Sequence, residues 1–176
     1  VTHPKLTAHV INFEQPDTWR ALVTGDVLFS ALGTSLKQAG SKEAQRRIDY
    51  DYQHMFAEAA HANGVPHLVL LSSLGADNRS SIFYLRLKGE LDDAVQRLGF
   101  DTVHIVRPPS LIRPEAKRLG ETAVVKILQG LNAVGIAKNL APMSVDTVAR
   151  CMMEIGTENR GGVQIITGQD IRDYMR

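Results

Sequence analysis

The run His67-Leu68-Val69-Leu70-Leu71-Ser72-Ser73, the helical stretch from Ser81 to Leu98 and the run Thr102-Val103-His104-Ile105-Val106 together decide the fold. An apolar run without alternation reads as a strand buried on both faces, the habit of parallel sheets. Between the two runs, Leu87, Leu91, Val95 and Leu98 recur at core-facing helical spacing, and Gly99 closes the helix. Strand, helix and strand in this order make a parallel βαβ unit.

The same alternation extends in both directions. Towards the amino end, Asp26-Val27-Leu28-Phe29-Ser30-Ala31 reads as a buried strand ending in Leu32-Gly33-Thr34-Ser35. A helix is expected from about Lys42 to Ala62, with Ile48, Tyr52, Met55, Phe56 and Ala59 on its core face and Asn63-Gly64 as its stop. Earlier still, Ala8 to Phe13 is expected to be a strand and Gln15 to Val23 a short helix, with Phe13 and Trp19 covering the sheet. Beyond Val106, the pair Pro108-Pro109 must leave the sheet, because prolines cannot continue a central ladder. Helices near Glu121 to Gly130 and Val145 to Gly156, a strand near Val163 to Ile166 and a terminal helical turn complete the pattern, with Ser144 or Asp146 capping the second helix. The 176 residues thus predict one α/β domain of Rossmann type, doubly wound around a mostly parallel sheet.

Composition narrows the function. Hydrophobic residues make up 44% and charged residues 22%, with 20 Lys and Arg against 19 Asp and Glu, so no basic face for nucleic acid is expected. No apolar stretch reaches membrane-spanning length, and Val1-Thr2-His3-Pro4-Lys5 does not read as a signal peptide. A lone cysteine, Cys151, excludes an internal disulfide and fits packing in a reducing compartment; cytoplasmic residence is expected. The six histidines, His54 and His61 among them, lack metal-ligand spacing. A small-molecule substrate is the expected partner, and a homodimer is compatible with the sequence.

In open parallel sheets, ligands bind beyond the carboxyl ends of the strands. Three such ends converge here: Leu32-Gly33-Thr34-Ser35, Ser72-Ser73 and Arg107-Pro108-Pro109-Ser110. On the helix after the second of them, Tyr84-Leu85-Arg86-Leu87-Lys88 spaces a phenol and an ammonium one turn apart. Ser73 and Tyr84 can hold a substrate carbonyl between two hydroxyls, with Tyr84 as general acid in reduction. A free tyrosine loses its proton near pH 10, so work at neutrality needs a shift of roughly 3 units, about 4 kcal/mol. An ammonium about 4 Å away supplies roughly that amount at an effective dielectric near 20. The bland alternative is a solvated helix face on which Lys88 pairs with Asp92, and Arg107 pairs with a surface carboxylate.

Asp26-Val27-Leu28-Phe29-Ser30-Ala31-Leu32-Gly33-Thr34, Leu70-Leu71-Ser72-Ser73-Leu74-Gly75-Ala76-Asp77, Tyr84-Leu85-Arg86-Leu87-Lys88-Gly89-Glu90 and Val106-Arg107-Pro108 occur in that order. Together they resemble the atypical short-chain dehydrogenases/reductases of the Tat-interacting-protein-like group, over about Val10 to Pro114. The resemblance implies an NAD(P)(H)-dependent oxidoreductase that reduces a small carbonyl compound, with NADP or NAD as cofactor. It implies Ser73, Tyr84 and Lys88 as the catalytic set, with Ser72 the second choice of serine and Lys88 also holding the nicotinamide ribose. Ala31, Leu32, Gly33 and Thr34 match the loop under the cofactor, and Pro108, Pro109 and Ser110 match the stretch beside the nicotinamide. Asp49 matches a polar position on the helix below, where a structural role is expected.

One departure from the family bears on both fold and function. The Gly-x-x-Gly-x-x-Gly turn and the strand-helix-strand unit that carries it do not occur in these 176 residues. In the order 3-2-1-4-5-6 the Val10 strand would then be separated from the Val27 strand, and the latter would present an open hydrophobic edge. We therefore expect the fold to be incomplete at its amino end, lacking about 40 residues, the size of one βαβ unit, or a partner chain filling the gap by strand exchange. A cofactor-binding sensor or scaffold with little or no turnover is the alternative function, since fold does not dictate activity. A sugar-nucleotide epimerase or dehydratase would need a larger carboxyl-terminal portion.

Overall fold

The computed structural model describes residues 3–112, 141–158 and 160–174. Four parallel strands, β1 (Val27–Ser30), β2 (His67–Leu71), β3 (Thr102–Arg107) and β6 (Gly162–Thr167), form the main sheet in the order β1-β2-β3-β6. The register runs Val27 to His67, His67 to Thr102 and Thr102 to Gly162, so the carboxyl ends of the strands line up on one side. Between β3 and β6, the short strands β4 (Leu111–Ile112) and β5 (Met143–Ser144) pair with each other.

Helices cover both faces, which is why the central strands read as unbroken apolar runs. Side chains alternate across a strand. Leu68 and Leu70 of β2, with Val103 and Ile105 of β3, enter one core with Trp19, Ala57, Ala60, Leu91 and Val95. Val69 and Val106 point the other way, into a core with Val148, Cys151, Met152, Ile155 and Ile171. The first core lies under α3 (Tyr52–Ala62) and α4 (Phe83–Gln96). The second lies under α5 (Val145–Gly156) and α6 (Gly168–Asp173). This is the expected doubly wound α/β arrangement.

Several expected elements change form. Ala8 to Phe13 joins no ladder among the described residues, and an extended segment becomes a strand only beside a neighbour that satisfies its backbone. Its Ile11 and Phe13 instead pack on the first core, where Phe13 stacks on Tyr52 at 4.6 Å. Trp19 is buried as expected, and its indole N–H donates to the Asn12 carbonyl at 3.1 Å. The short helix after it is two 3-10 turns, Pro16–Thr18 and Arg20–Leu22. The outer edge of β1 has no partner strand among the described residues, and Phe29 on it is 47% exposed. The helix expected near Glu121 to Gly130 lies outside the described residues.

The helix expected over Lys42 to Ala62 is preceded by α1 (Leu36–Ala39) and starts as α2 (Lys42–Arg46), capped by Ser41. It widens into a π turn over Arg47–Asp51 and continues as α3. Met55, Phe56 and Ala59 meet the core as expected, but the buried side also includes three polar residues, Gln45, Asp49 and Gln53. Further on, α5 keeps its expected bounds, and the Ser144 hydroxyl, not Asp146, caps it by accepting from the Thr147 N–H.

Candidate functional site

The strand ends singled out by the sequence meet through the backbone. The Ser72 N–H donates to the Val106 carbonyl at 2.8 Å, and the Leu74 N–H donates to the Pro108 carbonyl at 2.9 Å. The turn after Ser73 is tied to the first residues of α4, where the Asp77 N–H donates to the Leu85 carbonyl at 3.1 Å. Ser73 therefore lies in a loop bonded on one side to Pro108 and on the other to the helical turn that bears Tyr84. Pro108 and Pro109 are buried, and Ser110 is exposed, its carbonyl accepting from the Met143 N–H.

Gly89 explains how the loop comes so close to α4. A Cβ at that position would stand 2.3 Å from the Asn78 nitrogen and 2.3 Å from the Asp77 carbonyl carbon. Only the absence of a side chain lets the Asp77–Asn78 backbone lie against the helix. Asn78 is held to the same helix by a hydrogen bond to Asp93. Glu90 pairs with Arg46 at 2.5 Å, joining α4 to α2. The Lys-Gly-Glu part of the motif is thus architectural at its second and third positions.

Tyr84 and Lys88 share the helix but differ in setting. Tyr84 is 38% exposed at the rim, whereas Lys88 is 4% exposed. The Lys88 ammonium donates to the Leu71 carbonyl at 3.4 Å, at the end of β2. A solvated-face reading of this lysine is therefore incorrect. Burial pushes the Lys88 ammonium below its ordinary range, and the charges of Asp49 and then Asp92 oppose that fall. Ser73 is half-buried, with a 3.4 Å contact from its hydroxyl to the Leu74 carbonyl.

Ser72 and Arg107 meet at a residue the sequence reading gave to Lys88. Asp92 is fully buried and accepts from the Ser72 hydroxyl at 2.8 Å and from the Arg107 Nε at 2.9 Å. Arg107 thus pairs with a buried carboxylate, not one at the surface. Burial pushes the Asp92 carboxyl up, against the Ser72 hydrogen bond and the charges of Arg107 and Lys88. Ser72 is committed to that carboxylate, which leaves Ser73 as the serine of the rim.

At the end of β1, Ala31, Leu32 and Gly33 are exposed and Thr34 is half-buried. Asp49, from the π turn, fixes this loop by accepting from the Thr34 N–H at 2.7 Å. Gln45 donates to the other Asp49 oxygen at 3.2 Å, and Gln53 links the Asp49 carbonyl to the Ser30 hydroxyl. Asp49 has the expected structural role. A cleft of about 180 Å³ lies beside the loop, lined by Ile11, Phe13, Phe29, Leu32, Tyr52 and Phe56 among others. Gln45 and Gln53 beside Asp49, and the burial of Asp92, were missed. The spacing of four over Gln45, Asp49 and Gln53 was visible, but nothing in it distinguishes an inward polar stripe from a solvated one.

Residues 1–159 match the family described as NAD(P)H-binding. The chain belongs to that family. It is 34% identical over 156 residues to "Protein FMP52, mitochondrial" of Candida albicans, covering 85% of this chain and 68% of that protein. It is 39% identical over 147 residues to "Protein HTATIP2" of Rattus norvegicus, covering 82% of this chain and 59% of that protein. The NAD(P)H-binding chain is therefore an atypical short-chain dehydrogenase/reductase-like protein, and it spans roughly three fifths to two thirds of these relatives. Among solved structures, WbmH of Bordetella bronchiseptica in complex with NAD+ matches at a TM-score of 0.69 and 14% identity, covering 95% of this chain and 61% of that one. RMD of Pseudomonas aeruginosa complexed with NADPH matches at 0.64 and 16%, covering 98% and 74%. At such identities the likeness concerns the Rossmann fold alone.

Outside the strand ends, Cys151 is buried and its thiol is pushed up to about 11 by burial, as suits a packing residue. His54 faces Glu58 on its own helix, and His67 bonds His104 at 2.8 Å between β2 and β3. No helix among the described residues is long and apolar enough to cross a membrane.

Proposed function

We propose that the protein is an NAD(P)(H)-dependent oxidoreductase that reduces a small carbonyl compound, with Tyr84 as general acid, Ser73 as the second hydroxyl on the carbonyl and Lys88 as the cation beneath them. The observation that carries this reading is the buried Lys88 ammonium, one helical turn from the rim tyrosine and against the end of β2. A lysine is seldom fully buried without a partner or a task. The burial that disfavours its charge also keeps water from screening its effect on the phenol.

The described residues fit one side of a dinucleotide. Ala31, Leu32 and Gly33 offer an exposed, uncharged ledge at the end of β1, Lys88 supplies a cation for ribose hydroxyls, and Pro108 and Pro109 wall the end of β3. For the diphosphate, they offer no glycine turn leading into a helix. When bound, the nicotinamide supplies or accepts the hydride. The chain's own part is to hold the carbonyl oxygen between the Ser73 and Tyr84 hydroxyls, deliver the Tyr84 proton to it and stabilise the resulting phenolate with Lys88. We place NADP and NAD on equal footing, and a small molecule as the sole partner required.

Replacing Tyr84 by Phe is expected to abolish NADPH or NADH consumption across a carbonyl panel while changing cofactor affinity less than about threefold, since the phenol acts in the transition state. Undiminished turnover in Tyr84→Phe ends the assignment. Tight cofactor binding by the unmodified protein, with no turnover on any carbonyl, would instead support a sensor or scaffold.

A further inference from the structure

The carboxylate of Asp92 is used in an uneven way. The Arg107 Nε, the Arg107 Nη2 and the Ser72 hydroxyl all converge on Oδ2, at 2.9, 2.8 and 2.8 Å. The other oxygen, Oδ1, is buried and has no hydrogen-bond partner among the described residues. An arginine paired for stability alone commonly spreads its fork over both oxygens. An oxygen left buried and unbonded is destabilising, so its retention calls for a reason. The carboxylate is fully buried, and so is Lys88, one turn earlier on the same helix.

We propose that Asp92 is a positioning residue of this site: it ties the Ser72–Ser73 strand end and Arg107 of β3 to α4, and it sets a buried carboxylate one helical turn from the buried Lys88 ammonium as a second counter-charge beside Asp49. The charged groups that act on Lys88 are Asp49 from the π turn and then Asp92 from α4 itself, and Arg107 from β3 is bonded to Asp92. The two carboxylates offset the burial of the lysine, and Arg107 moderates Asp92. The single-oxygen arrangement satisfies Ser72 and Arg107 without tying up Lys88, whose recorded hydrogen bond goes to the Leu71 carbonyl. Its catalytic meaning rests on the oxidoreductase reading; the charge relation itself does not.

The test is a 13Cε chemical-shift titration of lysine-labelled protein, with the Lys88 signal assigned by its loss in Lys88→Arg. In Asp92→Asn, the Lys88 pKa is expected to fall by about one unit, the scale on which a nearby opposite charge supports a buried ammonium. In Arg107→Gln it is expected to rise. A Lys88 titration unchanged in Asp92→Asn, with only thermal stability lowered, overturns the proposal and makes Asp92 a structural ion-pair partner. Should Asp92→Asn fail to fold, Arg107→Gln decides alone: an unmoved Lys88 pKa there is equally fatal, whereas a fall shows that Asp92, deprived of its arginine, has taken a proton and that its charge acts on Lys88. Neither readout needs turnover, so an inactive protein, or activity surviving in Tyr84→Phe, sinks the oxidoreductase reading while leaving this outcome intact.

Discussion

Gly89→Ala sets two effects of known size against each other. In the interior of a helix, glycine is about 1 kcal/mol worse than alanine, so propensity alone makes the substitution stabilising. Gly89 lies mid-way along α4, yet its new Cβ would meet the Asp77 and Asn78 backbone at 2.3 Å. Ordinary contact begins near 3.4 Å, so the loop must retreat by about 1 Å. That loop is bonded to α4 through Asp77 and Asn78, and its neighbour Leu74 is bonded to Pro108. No flexible side-chain tip is available to absorb the move. Overpacking of this kind costs about 1–3 kcal/mol, and backbone against backbone belongs at the upper end. Net of propensity, the expected loss is about 1–2 kcal/mol, or a fall in Tm of about 2–8 °C for a chain of this size. Thermal unfolding followed by circular dichroism measures it directly. A Tm equal to or above that of the parent would refute the claim that glycine is required here for the close approach.

Gly156→Ala is the contrasting case. Its Cβ would meet the Phe29 ring at 2.5 Å, but that atom is the far end of a half-exposed side chain on the edge strand. The ring can swing aside, and a loss below about 1 kcal/mol is expected in the same melting experiment; a loss above about 2 kcal/mol would show that Phe29 is fixed. The His67–His104 pair predicts an acid-labile sheet. Burial, the leading cause for both, holds their pKa values below the ordinary 6.5, so folding favours the neutral rings. The unfolded chain then binds more protons, and stability is full above about pH 6.5 and declines as pH falls from there towards the folded values. The slope is at most about 1.4 kcal/mol per pH unit for each ring. Urea unfolding at pH 7.5 and 5.5 should show this loss in the parent and a smaller one in His104→Gln; the same acid loss in both would exclude the pair as its source.

What the sequence made legible followed from periodicity and punctuation. Leu68 to Leu71 and Val103 to Val106 read as double-sided strands because both faces of the sheet are covered. Leu87, Leu91 and Val95 read as a helix face because nothing polar interrupts their spacing. The placement of Tyr84 and Lys88 one turn apart on a helix was legible, and so was the convergence of the loop bearing Ser73 with Pro108 at the strand ends. The segment Ala8 to Phe13 misled because a strand is a property of two paired segments, and local propensity does not say whether a partner lies alongside. Lys88 and Asp92 were read as a candidate surface pair because an i, i+4 couple looks alike on a wet or a dry face. The depth of Asp92 is set by Ser72, twenty residues away, and by Arg107, fifteen residues away. No local pattern contains those partners.

The π turn at Arg47–Asp51 carries a consequence for how one long helix serves two regions. Each residue of an α-helix advances the side-chain direction by about 100°, so one extra residue in a turn offsets all that follows by about that angle. Before and within the widened turn, Gln45 and Asp49 aim at the Thr34 loop; downstream, Ala57 and Ala60 aim into the sheet. The widened turn acts as a phase shifter between a stripe that grips a loop and a stripe that builds a core. Neither stripe has to compromise its residue types for the other, and a carboxylate can sit on the same rod as an alanine seam without drawing water into it.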